Sequence, residues 1–154
     1  MRESAVGSQH PSERKGIMNI ALMSHDNKKE LMVQFCIAYC GILSKHTVCA
    51  TNDTGRQVAE ATGLPVQLFL AHSQGGSQQI GARIAYDEID MVLFFTDPNS
   101  DELDQDLHYI RILCDQHNVP LASNAATAEM LIHGLSRGDL DWRELIKPTK
   151  PLKV

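Results

Sequence analysis

The sequence predicts an α/β domain with a five-stranded parallel sheet and right-handed crossovers. Five short apolar segments alternate along the chain with segments of helical periodicity, which is the pattern of successive β–α–β units. One of them, residues 91–96, is almost uninterrupted in its apolar character, which is typical of a central strand covered on both faces. A length of 154 residues and a hydrophobic fraction of 43% suit a single globular domain.

The strands and helices are expected to alternate strictly. The predicted strands cover residues 17–24, 47–50, 66–70, 91–96 and 120–123. The predicted helices follow them in order over residues 28–44, 56–62, 75–87, 103–117 and 125–135. Asp26 or Asn27 is a suitable N-cap for the first helix, and Gly63, with Pro65 just beyond, is a suitable end for the second.

Both ends of the chain are predicted to lie outside this alternation. Residues 1–16 are polar and without periodicity, so we expect a disordered leader there and the domain itself over residues 17–154. The C-terminal segment, which contains Trp142, Pro148 and Pro151, is expected to pack as a tail over the surface.

Charge and composition argue against several functional classes. A net charge of −5 disfavours nucleic acid as a partner, because such proteins carry basic patches. The apolar runs are much shorter than the roughly 20 residues that span a bilayer, and residues 1–16 lack the apolar core of a secretory signal, so we expect no membrane partner and a cytoplasmic location. The four cysteines lack CxxC spacing and are expected to be reduced, and the histidines are scattered, so no metal site is predicted.

The loop after the third predicted strand suggests anion binding. Gly75, Gly76 and Ser77 follow the apolar residues 66–70 and open a helix. The first N–H groups of a helix have no partner within it, its dipole attracts negative charge, and glycines let a ligand approach the backbone. A simple turn is the alternative.

Polar residues follow other predicted strands as well. His25 and Asp26 come after the first strand, residues 51–55 after the second and Asp97 after the fourth. The carboxyl ends of parallel strands meet at one edge of the sheet, so these loops predict a single ligand site. Each loop also has a purely structural interpretation as a helix cap or a turn. Neither a Walker lysine nor a GxGxxG motif accompanies these loops, which argues against nucleotide hydrolysis and standard dinucleotide binding.

Six segments together form a recognisable pattern: IALMSHDNKK (20–29), ATNDTG (50–55), ATGLPV (61–66), GGSQQIGA (75–82), IDMVLFFTDP (89–98) and VPLASNAATAE (119–129). In sequence and in order they resemble the methylglyoxal synthase family. The resemblance implies a Rossmann-like three-layer α/β/α sandwich, usually assembled as a homohexamer. Such enzymes convert dihydroxyacetone phosphate into methylglyoxal and inorganic phosphate without metal or cofactor. The same domain type binds effectors, without catalysis, in the large subunit of carbamoyl-phosphate synthetase.

The resemblance also implies which residues form the site. The expected proton-transfer group consists of His25, Asp26, Ser77, Asp97 and Asp106. The expected group that binds phosphate or another part of the ligand consists of Lys29, Thr51, Asp53, Thr54, Gly55, His72, Gly75 and Gly76.

Several of these positions depart from the family pattern. Ser77 stands where the family has its catalytic aspartate, and Leu103 where it has its electrophilic histidine. Asp53 replaces a phosphate-loop threonine, and Ala71-His72 replaces a Ser-Gly pair. A serine hydroxyl does not titrate near neutral pH, and loss of a positioned base costs about 10²–10⁴ in rate.

Three functions remain open on this basis. The first is a domain that binds a small phosphorylated metabolite and has lost the usual lyase mechanism. The second is an active methylglyoxal synthase in which His72 or Asp53 supplies the base or the electrophile. The third is a different reaction on a related phosphate or carboxylate ligand, with His25 and Asp26 as the proton-transfer pair.

Overall fold

A five-stranded, all-parallel sheet forms the centre of the protein, which a computed structural model describes over residues 16–100 and 104–146. Along the chain the strands are β1 (Asn19–Ser24), β2 (Thr47–Ala50), β3 (Val66–Leu68), β4 (Met91–Phe95) and β5 (Leu121–Ala122). Their order across the sheet is β3-β2-β1-β4-β5. The predicted fold class is confirmed. β4 is an interior strand between β1 and β5 and is completely buried, which agrees with its apolar sequence, although the central strand is β1.

Helices cover both faces of the sheet. They are α1 (Lys29–Ala38), α2 (Cys40–Leu43), α3 (Asn52–Thr62), α4 (Gly76–Ala85), α5 (Gln105–Gln116), α6 (Ala125–Arg137) and α7 (Arg143–Ile146). Two short 3₁₀ turns, Asp26–Lys28 and His72–Gln74, precede α1 and α4. Within the described ranges, no helix has the length and apolar character that a membrane crossing requires.

Alternation along β1 separates two hydrophobic cores. Ile20 and Leu22 face the core built with α1, α3 and α6, whereas Ala21 and Met23 face the core built with α4 and α5. All four side chains are at most 2% exposed. The sheet is therefore covered on both sides, as a parallel sheet requires.

Two predicted helix boundaries were wrong, and one helix was not predicted. The predicted helix over residues 28–44 is interrupted at Tyr39, which leaves helical geometry (φ −110°, ψ 23°) where its hydroxyl donates to Glu129 of α6. α3 begins at Asn52 rather than at residue 56, because Thr51 is extended and the Asn52 N–H donates to the Leu70 carbonyl. The chain also forms α7 beyond the helix that was predicted to be the last.

Cap predictions were confirmed at one helix end and wrong at another. Gly63 ends α3 with φ +77°, the left-handed conformation that glycine favours, and its N–H donates to the Ala59 carbonyl. No side-chain cap bond from Asp26 or Asn27 supports α1, because Asp26 pairs with Lys29 and Asn27 donates to Asp97.

A buried ion pair holds α7 at the amino-terminal edge of the sheet, opposite the site described below. The Arg143 Nε donates to Asp90 Oδ1 at 3.3 Å, and the two side chains are 3% and 1% exposed. Arg143 Nη1 also donates to the backbone carbonyl of Asn118. Trp142, next in the chain, is 43% exposed, and Pro148 and Pro151 lie outside the described residues, as does the predicted leader up to residue 15.

The four cysteines are free, as predicted. Cys36, Cys49 and Cys114 are buried, and burial raises the pKa of each thiol to about 12. Cys40 is half-buried, and its thiol faces the Thr62 carbonyl at 3.8 Å. These thiols therefore serve as small hydrophobic side chains.

Candidate functional site

A pocket of about 690 Å³ opens beyond the carboxyl ends of β1, β2 and β4. This is where the strand order reverses, because the chain builds outward from β1 to β3 and then returns to place β4 on the other side of β1. Ligands of open α/β sheets bind at this position. The volume suits a small metabolite. The polar residues that line the pocket are Ser24, His25, Asp26, Asn27, Thr51, His72, Asp97, Ser100, Asp104, Gln105 and Asp106.

Two hydrogen bonds hold His25 in the pocket wall. Its Nδ1 accepts the Asp97 backbone N–H at 2.7 Å, so a neutral ring carries its proton on Nε2. That Nε2 is paired with Asp104 Oδ2. Asp104 Oδ1 in turn accepts the Leu107 N–H at 2.8 Å and thereby caps α5. The carboxylate partner of His25 is therefore Asp104, and not Asp26 as the third sequence hypothesis assumed.

Asp97 occupies the end of β4 as the sequence predicts, but both its carboxylate oxygens are engaged. Oδ1 accepts the Asn99 N–H at 2.9 Å, and Oδ2 accepts the Asn27 side-chain amide at 2.9 Å. The contacts join the loops after β1 and β4 across the pocket.

Asp26 projects into solvent beside Lys29. The Lys29 Nζ donates to Asp26 Oδ1 at 2.5 Å, and this hydrogen bond, followed by the charge of Lys29, lowers the pKa of Asp26 below its ordinary value. Asp26 is 90% exposed, whereas Lys29 is 13% exposed, so the lysine is the better shielded of the two. Lys29 does not line the pocket itself but contacts Asp26, which does.

The start of α3 presents unused hydrogen-bonding groups to the pocket. Thr51 is 5% exposed and lines the pocket, yet its hydroxyl has no hydrogen-bond partner among the described residues. Thr54 is 1% exposed, and its hydroxyl is shared with Ser24 at 2.9 Å. The backbone N–H groups in the first turn of a helix lack partners within it, and the helix dipole favours an anion there.

A second group of contacts joins three further elements. Ser77, at the start of α4, is fully buried and donates its hydroxyl to Asp106 Oδ2 of α5 at 3.0 Å. The same oxygen lies 3.4 Å from Nδ1 of His72 in the 3₁₀ turn before α4. His72 and Asp106 line the pocket, and Ser77 supports them from behind.

The glycines of the predicted ligand loops serve the fold. A Cβ on Gly76 would lie 2.0 Å from the Leu70 carbonyl oxygen, and one on Gly55 would lie 2.4 Å from the Leu68 side chain. Gly75 has φ +106°, which side chains rarely tolerate. None of the three lines the pocket, so each is required by close contacts or backbone conformation of the chain itself.

The pocket lining is acidic. Among the described residues that line it, the charged side chains are Asp26, Asp97, Asp104 and Asp106, and none is a lysine or an arginine. Lys29 is the cation held close behind the wall. Asp53, in the first turn of α3, is exposed and does not line the pocket.

The structure thus brings six predicted site residues into the lining: His25, Asp26, Thr51, His72, Asp97 and Asp106. Lys29, Thr54 and Ser77 reach it through one hydrogen-bonded neighbour each. Leu103, at the predicted electrophile position, lies outside the described residues.

Sequence reasoning missed Asp104 as a site residue. Its signal was present, because an aspartate three residues before Leu107 at the start of an apolar-periodic segment is a typical N-cap. Its contact with His25, 79 residues earlier, has no sequence signature.

Comparisons with known proteins agree with this architecture. Residues 32–123 match the protein family described as MGS-like domain. The methylglyoxal synthase of Caldicellulosiruptor saccharolyticus is 59% identical to this chain over 132 residues, which cover 85% of this chain and 94% of that protein. The methylglyoxal synthase of Oceanobacillus iheyensis is 53% identical over 131 residues, with coverages of 84% and 94%. The crystal structure of methylglyoxal synthase from Elizabethkingia anophelis has a TM-score of 0.72 and 31% identity, and the match covers 89% of this chain and 95% of that chain.

Proposed function

This chain belongs to the methylglyoxal synthase family, and we propose that it binds a small phosphorylated metabolite of the dihydroxyacetone phosphate type in the pocket beyond β1, β2 and β4. The proposed ligand places its phosphate at the start of α3 and its carbon chain toward His25 and His72. The usual phosphate-eliminating activity is proposed to be weak.

The unpartnered hydroxyl of Thr51 carries this proposal. Burying a hydroxyl without a hydrogen-bond partner costs about 1–3 kcal/mol, so proteins rarely keep one unless a ligand or water forms the missing hydrogen bond. Thr51 is 5% exposed, lines the pocket and stands directly before the amino terminus of α3. A phosphate oxygen at this point would accept hydrogen bonds from the hydroxyl and from first-turn N–H groups. Lys29, which is paired with Asp26 of the lining, is proposed to add positive charge to the phosphate site.

The proposal of weak elimination rests on Ser77. Its side chain is fully buried, and its hydroxyl is already donated to Asp106. A hydroxyl in this state cannot take the proton that a carboxylate base removes. By general precedent, the loss of a positioned base lowers the rate by about 10²–10⁴.

An active methylglyoxal synthase with relocated groups is the second candidate, and one observation favours it. His72 lines the pocket and lies 3.4 Å from Asp106, which gives a histidine–carboxylate pair at the place where a ligand would sit. Asp53, the other group considered for relocation, is exposed and does not line the pocket, so His72 is the better supported of the two.

Assembly and location complete the proposal. A homohexamer is proposed from the family resemblance, and exposed apolar side chains on α6 and α7 support self-association, with Met130 72% and Leu145 85% exposed. A cytoplasmic location is proposed as well. Light scattering of the purified protein, coupled to size-exclusion chromatography, tests the assembly directly.

The binding proposal is tested by calorimetric titration with dihydroxyacetone phosphate and with inorganic phosphate. Thr51→Val removes the hydroxyl and keeps the shape of the side chain. The matched control is Thr47→Val, at the opposite, exposed end of β2. We expect Thr51→Val to weaken binding of both probes about tenfold, the value of one hydrogen bond to a charged group, and to leave the unbound protein as stable as before or slightly more stable. Equal affinities for wild type and Thr51→Val would refute the proposed placement of the phosphate.

A further inference from the structure

We propose that His72 is a proton acceptor for the bound ligand, with Asp106 and Ser77 as its positioning residues. The pocket would then catalyse exchange of a hydrogen on the carbon beside a ligand's carbonyl group. This inference deepens the second candidate function, in which His72 supplies the base, and it rests on the proposed function in that the ligand must occupy the pocket.

The contacts define the order of the three groups. Ser77 is fully buried, so its hydroxyl is fixed, and it donates to Asp106 Oδ2 at 3.0 Å. The oriented carboxylate faces His72 Nδ1 at 3.4 Å and accepts the Nδ1 proton of the neutral ring. The other ring nitrogen, Nε2, has no hydrogen-bond partner within the part of the chain that the structure describes. A base oriented by a carboxylate that is itself held by a third group is the arrangement used for general-base activation.

The other titratable groups of the lining are already engaged. Both nitrogens of His25 are hydrogen-bonded, one to the Asp97 N–H and one to Asp104. Asp104 also caps α5, and both carboxylate oxygens of Asp97 accept hydrogen bonds. Asp26 is paired with Lys29. Apart from the second oxygen of Asp26, whose side chain is 90% exposed to solvent, these contacts leave His72 Nε2 and the second oxygen of Asp106 as the competing proton acceptors.

Position favours His72 over Asp106. The His72 side chain is 62% exposed and that of Asp106 27%, so the imidazole reaches further into the open pocket. The Ser77 hydroxyl and the His72 ring both contact the same oxygen of Asp106, Oδ2, which suits a carboxylate that orients its neighbours.

The proposed step balances without a further reactant. The C–H bond beside the carbonyl breaks, an N–H bond forms on Nε2, and the electron pair becomes the C=C bond of an enolate as the carbonyl oxygen takes the negative charge. In D₂O the imidazolium exchanges its proton with solvent and returns a deuteron to the same carbon. The ketone is restored with one hydrogen replaced by deuterium, and nothing is oxidised or reduced.

Proton NMR in D₂O tests the proposal with dihydroxyacetone phosphate as the probe, and calorimetry measures its binding to each variant. We expect His72→Gln to lower the exchange rate about 100-fold while binding changes less than threefold. The matched control is His108→Gln. His108 is an exposed histidine on α5 that does not line the pocket, so this variant should catalyse exchange of the ligand hydrogen at the wild-type rate. Added imidazole should restore exchange to His72→Ala, because the exposed side chain leaves an accessible gap. Ser77→Ala should lower the rate about threefold to tenfold.

Each contrary outcome has a distinct meaning. The role of His72 would be overturned, and the proton assigned to Asp106, by either of two results. The first is a wild-type exchange rate in His72→Gln. The second is failure of imidazole to restore exchange to His72→Ala while Asp106→Asn is inactive. Binding of dihydroxyacetone phosphate to the wild type without any exchange would overturn the inference and leave the proposed function intact. Absence of binding would overturn both.

Discussion

Gly76→Ala tests whether the pocket depends on a close approach between two loops. A Cβ on Gly76 would lie 2.0 Å from the Leu70 carbonyl oxygen, and a tolerable contact is at least 3.0 Å, so that oxygen must retreat by about 1 Å. The same oxygen accepts the Asn52 N–H at 3.3 Å, and the Leu70 N–H donates to Gln79 at 2.8 Å. Displacement of the Leu70 peptide therefore pulls on the start of α3, where the phosphate is proposed to bind.

The expected cost combines overpacking with a lost hydrogen bond. Overpacking of a tight contact costs about 1–3 kcal/mol, and an ordinary hydrogen bond about 0.5–1.5 kcal/mol. We therefore expect Gly76→Ala to lower the free energy of unfolding, measured in urea, by about 2–4 kcal/mol. Calorimetry should show that its binding of dihydroxyacetone phosphate is weakened as well.

Gly41→Ala is the matched control. Nothing lies within 4 Å of the position its Cβ would take, and Gly41 is within α2. This variant should be as stable as the wild type or up to about 1 kcal/mol more stable, because alanine favours helix. If Gly76→Ala and Gly41→Ala have the same free energy of unfolding and the same affinity for dihydroxyacetone phosphate, the Leu70 peptide moves without cost and the coupling between the two loops is refuted.

Two further predictions concern ion pairs. Arg143→Ala leaves Asp90 buried without its cation and should lower the free energy of unfolding by about 3–5 kcal/mol. The control Arg137→Ala breaks an exposed ion pair and should lower it by less than about 1 kcal/mol. Equal losses for the two variants in urea unfolding would contradict the anchoring of α7. Lys29→Met removes the hydrogen bond and the charge that lower the pKa of Asp26, so an NMR titration should find that pKa raised toward 3.8. The small stabilisation from this pair is present above pH 3.8 and is lost as the pH falls below it. An unchanged pKa of Asp26 in the variant would contradict the contact.

The sheet was largely predictable from the sequence because its strands are marked by composition. β2 has the predicted bounds, and β4 differs by one residue, since uninterrupted apolar runs have few alternatives to a buried strand. The start of α3 was not predictable in the same way. Asn52 and Asp53 have the composition of a loop, and they become helical because the Asn52 N–H finds the Leu70 carbonyl, 18 residues away.

The location of the site was predictable, but its internal contacts were not. Parallel strands place the residues after β1, β2 and β4 at one edge, so the lining positions of His25, Thr51 and Asp97 follow from topology. The pairing of Ser77 with Asp106 joins residues 29 positions apart on two helices and depends on how α4 packs against α5. Helix packing geometry of this kind leaves no local signature in the sequence.

Phosphate release from dihydroxyacetone phosphate, measured for the wild type and Ser77→Asp at saturating substrate, tests the central claim most directly. We expect the wild type to bind the substrate but to release phosphate far below the ordinary enzymatic range of about 1–10³ per second, and we expect Ser77→Asp to raise the rate. Release by the wild type within that range, with no increase in Ser77→Asp, would contradict the claim that this member of the family binds its ligand with an impaired elimination step.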